Sequence, residues 1–393
     1  MVEKHPVTIL LYSVLLNDML KGWSTRVSDM NKPNENHITT GTGTVLIVNP
    51  SSSSGSTGKN WDDLYLKIKE IFRENPEVAF TKKSGDGTIL ARAYLEKGVK
   101  NIIAIGGDGT INEVANGFFV LEENNGFDDD DDDNNNNSDV TPTTANAFPE
   151  SPTLRQINPN AVLGIVSAGT RNVLAKSLNL PTGDLECCKH FVGSKTQKID
   201  VISATATNPS KERNPISQSR IFLNAAEIGV GAEIIDRSKR VREKVKSRIV
   251  STISSVVVTL PTYASKLCEI FIDDGRGNDN TILTKMTMCV IANGKYLGGG
   301  LTVAPQASIS DGLLDVVILK NSGSFKMLEE VISMKNGNYT RDDKDIIYMR
   351  AKRVSIGSRD EKEKDINVTI DGEPIGNLPA TFQVYPNVLL VKM

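Results

Sequence analysis

The chain has 393 residues, which is enough for about two domains. Its hydrophobic content of 39% and charged content of 24% are typical of a globular protein with a sizeable core. The formal charge is −3 at pH 7, and removal of the six aspartates at 128–133 would leave +3. This weak charge, with no repeat of arginines and aromatic residues, excludes the usual composition of a nucleic-acid-binding protein, and we expect no nucleic-acid partner.

The cysteines, the histidines and the amino-terminal residues indicate a cytoplasmic protein. Four cysteines, at 187, 188, 268 and 289, and three histidines lack the spacing of a zinc site, so we expect reduced, buried thiols. The apolar run 7–20 contains Asn17 and Asp18, is too short to span a bilayer and has no small-residue cleavage site. We therefore interpret residues 1–42 as an N-terminal extension, and not as a membrane anchor or a secretory signal.

The first half of the chain alternates between predicted strands and helices. Apolar runs predict strands at 45–48, 78–81, 102–105 and 162–166. A Ser/Gly/Thr loop at 51–58 follows the first strand, and helices are predicted at 61–72, at 91–97 and after residue 172. This alternation predicts an α/β domain with a parallel sheet and helices on its faces, which we place at residues 43–185.

Residues 122–159 interrupt this alternation. The aspartates at 128–133, the asparagines at 134–137 and the Pro/Thr/Ser tract that follows cannot bury enough apolar surface to become ordered. Calcium binding by the aspartates is the alternative. We interpret the segment as a disordered, acidic and Asn-rich insertion.

The second half of the chain consists mainly of short apolar runs separated by turns. These runs lie at 221–223, 268–272, 286–292, 302–304, 313–319, 367–370 and 388–391. They predict a mainly antiparallel β domain over residues 186–393. One segment, 232–258, has a helical pattern instead, with apolar residues on one face.

A glycine-rich loop between the third strand and the next helix carries the strongest functional signal. This loop, Gly106-Gly107-Asp108-Gly109-Thr110, would aim bare backbone N–H groups and a helix N-terminus at an anion. A carboxylate in a phosphate cradle is expected where Mg²⁺ or a reacting hydroxyl lies between them, so the loop indicates phosphoryl transfer. The alternative is an ordinary turn with Asp108 as a helix N-cap. The dinucleotide and P-loop patterns do not fit, because Asn112 and Ser53 stand where they need glycine.

Two further small polar loops should lie beside the glycine-rich loop. Asn49-Pro50 follows the first strand and Ala168-Gly169-Thr170 follows the fourth. The carboxyl ends of parallel strands share one crevice, where ligands bind. We therefore expect the three loops to form one site.

The chain resembles the diacylglycerol kinase catalytic-domain family, the lipid kinases that include sphingosine and ceramide kinases. It is most similar to soluble prokaryotic-type lipid kinases, and more distantly to NAD kinase. The matching pieces, in chain order, are Asn49-Pro50-x-Ser52, Phe80-Thr81, 106–117, Ala168-Gly169-Thr170-x-Asn172, Gly298-Gly299-Gly300, Ala304-Pro305, Asp311-Gly312-Leu313-Leu314-Asp315 and Asp371-Gly372-Glu373-Pro374. The resemblance implies an α/β nucleotide domain similar to NAD kinase and phosphofructokinase, a β-sandwich-like second domain, and ATP in the cleft between them.

The resemblance also implies the roles of individual residues. Glu373 would be the general base for the lipid hydroxyl, and Asp108 would hold catalytic Mg²⁺. A structural Mg²⁺ would bind at Ser308, Asp311 and Leu313. The residues implied to contact the nucleotide are Asn49, Ser52, Thr81, Gly106, Gly107, Asp108, Gly109, Thr110, Asn112, Gly169 and Thr170. ATP and Mg²⁺ are thus the expected cofactors.

Several of these positions have a simpler alternative. Asp371-Gly372 could be a hairpin turn with Glu373 exposed beside it, and Asp311-Gly312 could also be only a turn. The sequence departs from the family pattern in its longer loop at 51–58 and in Arg171, which replaces a common glycine. Arg171 could hold a phosphate or lie on a helix surface. No tail that returns to the first domain is expected at the end of the chain.

A basic segment at 237–248, with apolar residues at helical spacing, could lie on an anionic membrane surface. The apolar run 253–260 could then line an acyl groove. The alternative is a packed helix with a solvated basic face. We expect a lipid substrate that a cytoplasmic protein reaches at the membrane surface, and we leave a homodimer open.

The main functional hypothesis is an ATP- and Mg²⁺-dependent kinase for a hydroxyl of diacylglycerol or a related lipid. The first rival is an NAD kinase, which shares the glycine-rich loop, and Asn224-Ala-Ala-Glu227 is faintly similar to the substrate motif of that family. The second rival is a non-catalytic lipid or nucleotide sensor. The presence of both Asp108 and Glu373 favours catalysis.

Overall fold

The computed structural model describes residues 43–72, 75–122, 148–181, 188, 191, 195–208, 216–245, 259, 263–298, 301–320, 344–360 and 366–393. These residues belong to one compact unit, Thr42–Met393. The predicted extension at 1–42 and the aspartate and asparagine tracts at 128–137 lie outside the described residues, as do Gly299 and Gly300.

The helices and strands follow an order close to the predicted one. The helices are α1 (Ser52–Lys59), α2 (Trp61–Phe72), α3 (Asp86–Glu96), α4 (Asp108–Asn116), α5 (Val173–Ser177) and α6 (Val230–Val245). The strands of the first part of the fold are β1 (Thr44–Val48), β2 (Glu77–Phe80), β3 (Asn101–Gly106), β4 (Phe119–Glu122), β5 (Thr153–Gln156) and β6 (Val162–Ser167). The strands of the second part are β7 (Thr196–Asn208), β8 (Ile216–Phe222), β9 (Ala225–Gly229), β10 (Lys266–Asp273), β11 (Asn280–Ala292), β12 (Tyr296–Leu297), β13 (Leu301–Thr302), β14 (Leu314–Lys320), β15 (Ile346–Ala351), β16 (Arg353–Ser358), β17 (Asn367–Ile370) and β18 (Glu373–Lys392).

The first part contains a parallel sheet with the strand order β2-β1-β3-β6. Side chains of β1 alternate between its faces, so that Val45 and Ile47 pack with residues of α3 and α4, whereas Leu46 and Val48 pack with residues of α2. A strand that is buried on both faces reads as a continuous apolar run. The predicted α/β fold with a parallel sheet is confirmed.

Helices α3 and α4 pack closely because a glycine lies at their contact. A Cβ on Gly117, directly after α4, would lie 2.5 Å from Ala91 Cβ of α3. On the other side of α4, Ile111 and Val114 are fully buried against the sheet. This packing holds the first residues of α4 at the carboxyl end of β3, beside the glycine-rich loop.

The second part of the fold is mainly antiparallel. Its strands β11, β10, β16, β18, β17 and β9 pair in succession, and β9 pairs again with β11, so the six strands close into a ring. Apolar side chains such as Ile270, Ile291 and Phe382 fill a core formed by these strands. The predicted antiparallel, sandwich-like second fold is confirmed.

Strand β18 connects the two parts of the sheet. It pairs with β17, β16 and β7, and its residues Leu390 and Val391 pair in parallel with Val162 and Leu163 of β6. The last strand therefore returns to the first part of the fold, which corrects the expectation that no such tail is present. Because one sheet runs through both parts, the domain boundary between residues 185 and 186 stays a prediction.

Three local predictions need correction. Strand β5 lies inside the predicted insertion at 122–159 and pairs with β4, because Leu154 faces Leu121 and both pack against the core. The predicted loop at 51–58 is largely helix α1. In the second part of the fold, no apolar run predicted strands β7, β9, β12, β15 and β16.

The state of the described cysteines agrees with the prediction from the sequence. Cys188, Cys268 and Cys289 are buried free thiols, as predicted. Cys187 lies outside the described residues. Within the part of the chain that the structure describes, no helix is both long enough and apolar enough to cross a bilayer.

Candidate functional site

Three loops meet at the carboxyl ends of β1, β3 and β6. Asn49, after β1, donates a hydrogen bond from Nδ2 to Thr110 Oγ1 in the glycine-rich loop at 2.9 Å. Ser53 Oγ donates to the carbonyl oxygen of Ala168, after β6, at 2.8 Å. These contacts confirm that the three loops converge.

The loops after β3 and β6 approach so closely that only glycine fits at their contact. A Cβ on Gly169 would lie 2.6 Å from Gly107 Cα, and a Cβ on Gly106 would lie 2.6 Å from Thr110 Oγ1. Gly107 and Gly109 are only half-buried. Their bare backbone can therefore come close to a bound anion, which a side chain would hold away.

The loop after β1 adds a second stretch of accessible backbone. Ser53, Ser54 and Gly55 have φ angles of 49°, 60° and 87° and interrupt α1. A change from right-handed to left-handed backbone points successive N–H groups into one anion-binding concavity. The N–H of Gly55 already donates to the carbonyl oxygen of Ser51 at 3.2 Å, so Ser53 and Ser54 carry the N–H groups that this loop can present to an anion.

Ser52 supports this loop from inside. Its side chain is buried, and its hydroxyl donates to the carbonyl oxygen of Asn49 at 2.8 Å and shares a hydrogen bond with Thr57 Oγ1. The Ser52 hydroxyl is thus committed to protein partners. A contact between Ser52 and a nucleotide stays a prediction.

Thr81 follows β2 directly and lies next to the carboxyl end of β1. It is buried, and its N–H donates to the carbonyl oxygen of Val48 at 2.9 Å. The loop that follows is tied to α4 by Glu113, whose carboxylate accepts hydrogen bonds from Ser84 Oγ and from the N–H of Gly87. Helix α4 therefore holds this fourth loop in place as well.

Asp108 begins α4 and caps a different helix. Its Oδ1 accepts hydrogen bonds from the N–H groups of Val173 at 2.8 Å and Leu174 at 3.3 Å, at the start of α5. The residue before α5, Asn172, provides no side-chain cap, so Asp108 satisfies N–H groups that would otherwise lack a partner. The N-cap alternative for Asp108 is correct in kind, but the capped helix is α5 and not α4.

Asn112 belongs to a hydrogen-bond network between α4 and the second part of the fold. It is 2% exposed, and its Nδ2 donates to Asp371 Oδ2 at 2.9 Å and to the carbonyl oxygen of Ile221 at 3.2 Å. Its Oδ1 accepts hydrogen bonds from Asn116 and Arg220. The amide is committed to protein partners, and a contact between Asn112 and a nucleotide stays a prediction.

Asp371 is the centre of this network. Its Oδ1 accepts the N–H groups of Asn224 and Ala225, and its Oδ2 accepts the N–H of Leu223 and the Asn112 amide, all at 2.9–3.0 Å. Burial raises the pKa of Asp371 above its ordinary value, whereas these hydrogen bonds act in the opposite direction. The left-handed turn at Asp371, with φ of 47°, is thereby fixed, and it orients the side chain two positions later.

Glu373 lies where the second part of the fold meets the glycine-rich loop. Its Oε1 is 3.7 Å from the position that a Cβ would take on Gly109. Its Oε2 contacts Lys239 Nζ of α6 at 2.5 Å. The Glu373 side chain is 44% exposed. A solvent-accessible carboxylate therefore lies beside the glycine-rich loop, next to Gly109, the residue that follows Asp108.

The predicted structural metal loop is held by protein groups. Arg350 contacts the carboxylate of Asp311 and lies 3.7 Å from Asp315 Oδ1, and the N–H of Gly312 donates to Asp200 Oδ2 at 2.7 Å. In the described ranges, no group of three or more His, Cys, Asp or Glu residues is arranged to hold a metal ion. The Arg350 guanidinium already supplies the positive charge at this turn. Binding of Mg²⁺ at Ser308, Asp311 and Leu313 stays a prediction.

Glu227 of β9 is an acidic residue near the site that the sequence indicated only through a faint similarity to the substrate motif of NAD kinase. The side chain is half-buried, and burial raises its pKa from 4.5 to about 7, while the Arg171 guanidinium acts in the opposite direction. Arg171 Nη1 lies 2.7 Å from the position of a Cβ on Gly298. Arg171 therefore reaches from the loop after β6 towards the second part of the fold.

We expect Glu227→Gln to flatten the pH dependence of stability. Because the folded pKa is raised, the contribution of Glu227 to the free energy of unfolding is complete below about pH 4.5 and is lost as the pH rises through about 7. As the pH rises from about 5 to about 8.5, the free energy of unfolding of the variant should increase by about 2 kcal/mol relative to that of the wild type. This change is smaller than the full linkage value because the side chain is half-buried. Urea denaturation at both pH values measures this difference. Parallel profiles for the two proteins would contradict the assignment, and Glu70→Gln, on the exposed face of α2, is the control.

The described part of the predicted basic helix is α6, in which the basic side chains of Arg237, Lys239 and Arg240 pair with acids. Arg237 lies 3.4 Å from Glu233, and Arg240 contacts Asp236, in both cases four residues apart on the helix. Lys239 instead contacts Glu373, outside the helix. The continuation at 246–258 lies outside the described residues, so the membrane-facing role of the segment stays a prediction.

Two sequence models of known domains match this chain in succession. The diacylglycerol kinase catalytic domain matches residues 43–204. The YegS C-terminal NAD kinase beta sandwich-like domain matches residues 225–393. The three loops lie in the first match, and Glu373, Asp371 and Lys239 lie in the second.

Similar proteins span nearly the same length. The chain is 25% identical over 340 residues to a diacylglycerol kinase of Staphylococcus epidermidis, covering 86% of this chain and 87% of that protein. It is 25% identical over 353 residues to a protein of Serratia proteamaculans (strain 568) named "Probable lipid kinase YegS-like", covering 89% and 93%. A crystal structure of a diacylglycerol kinase from Bacillus anthracis str. Sterne has the same fold, with a TM-score of 0.58, 20% identity, and coverage of 89% of this chain and 96% of that one. The chain belongs to the diacylglycerol kinase catalytic-domain family of lipid kinases.

Proposed function

We propose that the protein is an ATP- and Mg²⁺-dependent kinase that transfers the γ-phosphate of ATP to a hydroxyl group of diacylglycerol or a related lipid. The family makes the protein a phosphotransferase of the lipid kinase class. The observation that carries the finer proposal is the position of Glu373, a partly exposed carboxylate beside Gly109 of the glycine-rich loop. A carboxylate at that place can receive the proton of an attacking hydroxyl.

The phosphates of ATP would lie against backbone N–H groups of the converging loops. The half-buried Gly107 and Gly109 offer such groups without a side chain in the way, and the left-handed backbone at Ser53 and Ser54 offers further ones. Asn49 would hold the glycine-rich loop in place through its hydrogen bond to Thr110. The residues that we propose around the nucleotide are Asn49, Ser52, Thr81, Gly106, Gly107, Asp108, Gly109, Thr110, Asn112, Gly169 and Thr170.

Asp108 fits a catalytic Mg²⁺ site of the kind that kinases use. Mg²⁺ in such sites is held by one or two carboxylates together with the phosphates of the substrate, and Asp108 is a half-buried carboxylate within the glycine-rich loop. Its Oδ1 is committed to α5, so Oδ2 would serve the ion. When bound, Mg²⁺ neutralises charge that develops on the phosphates.

We expect two substitutions of Asp108 to separate its structural role from its catalytic role. Asp108→Asn keeps an oxygen that can accept the N–H bonds from α5, whereas Asp108→Ala removes it and should cost about 1 kcal/mol of stability. Both should lower kcat about 10²- to 10³-fold, since both remove the negative charge that would hold Mg²⁺. Urea denaturation and steady-state kinetics measure the two effects. An Asp108→Asn protein with wild-type kcat would leave Asp108 with the capping role alone.

Glu373 would act as the general base. The acceptor hydroxyl must lie within about 2.6–3.2 Å of the carboxylate to lose its proton, which places it between Glu373 and the terminal phosphate. The bonds that Asp371 accepts fix the turn before Glu373, so the carboxylate is oriented before any substrate binds. Little else is required of the protein, because phosphoryl transfer depends mainly on position and charge.

The acceptor would be reached at a membrane surface, where lipids are found. The excess of Lys and Arg in the segment at 237–248 supports this proposal through attraction to anionic lipid. A cytoplasmic location agrees with the free thiols of Cys188, Cys268 and Cys289. A homodimer stays a prediction.

The test is a transfer assay with several acceptors. Purified protein is given labelled ATP and Mg²⁺ with mixed micelles of diacylglycerol, with other polar lipids, with sphingoid bases, or with NAD. We expect label on a lipid hydroxyl and none on NAD. Label on NAD alone would replace the proposal with an NAD kinase, and no transfer to any acceptor would favour a sensor.

A further inference from the structure

Lys239 of α6 contacts the carboxylate that we propose as the base. Its Nζ lies 2.5 Å from Glu373 Oε2, and its side chain is 29% exposed, against 44% for Glu373. Two other ion pairs among the described side chains of α6, Arg237 with Glu233 and Arg240 with Asp236, stay within the helix. Lys239 is thus directed from the helix towards Glu373 and the glycine-rich loop.

The two oxygens of Glu373 face different groups. Oε1 lies on the side of Gly109 and the glycine-rich loop, and Oε2 lies against Lys239. An acceptor hydroxyl within hydrogen-bond reach of this carboxylate would lie at most about 8 Å from Lys239 Nζ, because each of the two hydrogen bonds spans about 3 Å and the two carboxylate oxygens are about 2 Å apart. The ammonium group is therefore close to the place where the new phosphate ester forms.

We propose that Lys239 is a catalytic residue that moves from Glu373 to the transferred phosphoryl group during turnover. This inference rests on the proposed function. A solvent-accessible ion pair alone contributes little to stability, so the contact costs little to break. A lysine is a suitable phosphate ligand because its ammonium acts as a compact point charge with three rotatable donors.

The charges change in the direction that this movement needs. The acceptor O–H proton passes to Glu373, the acceptor oxygen forms a bond to the γ-phosphorus, and the bond from that phosphorus to the bridging oxygen breaks. The electron pair of the broken bond stays on the β-phosphate of ADP. Glu373 becomes neutral and loses most of its attraction for the ammonium, while the acceptor gains a negatively charged phosphate. Lys239 transfers no proton, and it contacts the product phosphate through hydrogen bonds and charge.

The experiment compares Lys239→Met, Lys239→Arg and the wild type, with Arg240→Met as the matched control. Arg240 is on the same helix, is 67% exposed and pairs only with Asp236 among the contacts described above. Steady-state kinetics gives kcat and the KM for ATP. Calorimetry in the presence of Mg²⁺ and ADP gives the affinity of each protein for two probes, dioctanoylglycerol and its phosphomonoester.

We expect Lys239→Met to lower kcat about 100-fold with an unchanged KM for ATP. Its affinity for the phosphomonoester should fall at least about tenfold, while its affinity for the uncharged lipid stays the same. Lys239→Arg should recover part of both losses, and Arg240→Met should behave as the wild type. A residue with only a structural role would not produce this difference between the two probes.

Two results would overturn the inference. If Lys239→Met matches Arg240→Met in kcat and in affinity for the phosphomonoester, Lys239 has no role in the reaction although the proposed function survives. If Lys239→Met loses affinity for both probes equally, the residue acts on the fold and not on the phosphate. A wild type that phosphorylates no lipid would refute the proposed function and this inference together.

Discussion

Glu373→Gln is expected to lower kcat about 10²- to 10⁴-fold while the fold stays intact. Glutamine has the same shape and can still accept a hydrogen bond from Lys239, but it cannot take up the proton of the acceptor hydroxyl. The affinity for a non-hydrolysable ATP analogue should stay unchanged, because Glu373 lies beside the glycine-rich loop and not within it. Steady-state kinetics at saturating lipid, with calorimetry for the analogue, measures both quantities.

Glu122→Gln is a suitable control for this variant. Glu122 also forms an ion pair, with Arg155, and its side chain is 50% exposed on β4. It should retain wild-type kcat. A Glu373→Gln protein with the activity of the control would remove Glu373 as the base, and the deprotonation would have to be assigned to another group.

Asp371→Ala is expected to destabilise the fold by about 3 kcal/mol or more. The substitution leaves the N–H groups of Leu223, Asn224 and Ala225 and the Asn112 amide without their acceptor, and each unsatisfied buried group costs about 1–3 kcal/mol. Relief of the buried charge offsets part of this loss. Urea denaturation gives the free energy of unfolding, and Glu70→Ala, on the exposed face of α2, should change it by no more than about 0.5 kcal/mol.

Asp371→Asn tests the same network with a smaller change. Asparagine tolerates the left-handed φ of 47° and keeps one acceptor oxygen, so it should cost less than alanine. Activity should fall in both variants, since the turn orients Glu373. Equal stability of Asp371→Ala and the wild type would show that the network does not hold the two parts of the fold together.

The strands of the core could be predicted because burial leaves a local signature. β1, β3 and β6 are buried on both faces and appear as uninterrupted apolar runs. Strands β15 and β16 could not be recognised in this way, since Arg350 and Arg353 and several half-buried positions interrupt their patterns. Strand β5 was obscured by the acidic and Asn-rich tract that precedes it.

The location of the site could be predicted, whereas the partners of its side chains could not. The glycines of the loops after β3 and β6 are required locally, and parallel strands bring their carboxyl ends together. The roles of Asn112 and Asp371 depend on a hydrogen bond between residues 259 positions apart. The pairing of Asp311 with Arg350 spans 39 positions. A short motif contains no information about such distant partners, so the sequence predicted ligand contacts for Asn112 and Asp311 and neither of these pairings.

The central claim is that Glu373 and the glycine-rich loop act on opposite sides of one transferred phosphate. The most direct measurement is a crystal structure of the protein with Mg²⁺ and a non-hydrolysable ATP analogue. We predict that the terminal phosphate contacts the backbone of Gly107 and Gly109 and lies about 6 Å from the Glu373 carboxylate, which leaves room for one hydroxyl oxygen. An analogue bound away from this loop, or a terminal phosphate on the far side of the sheet from Glu373, would contradict the account.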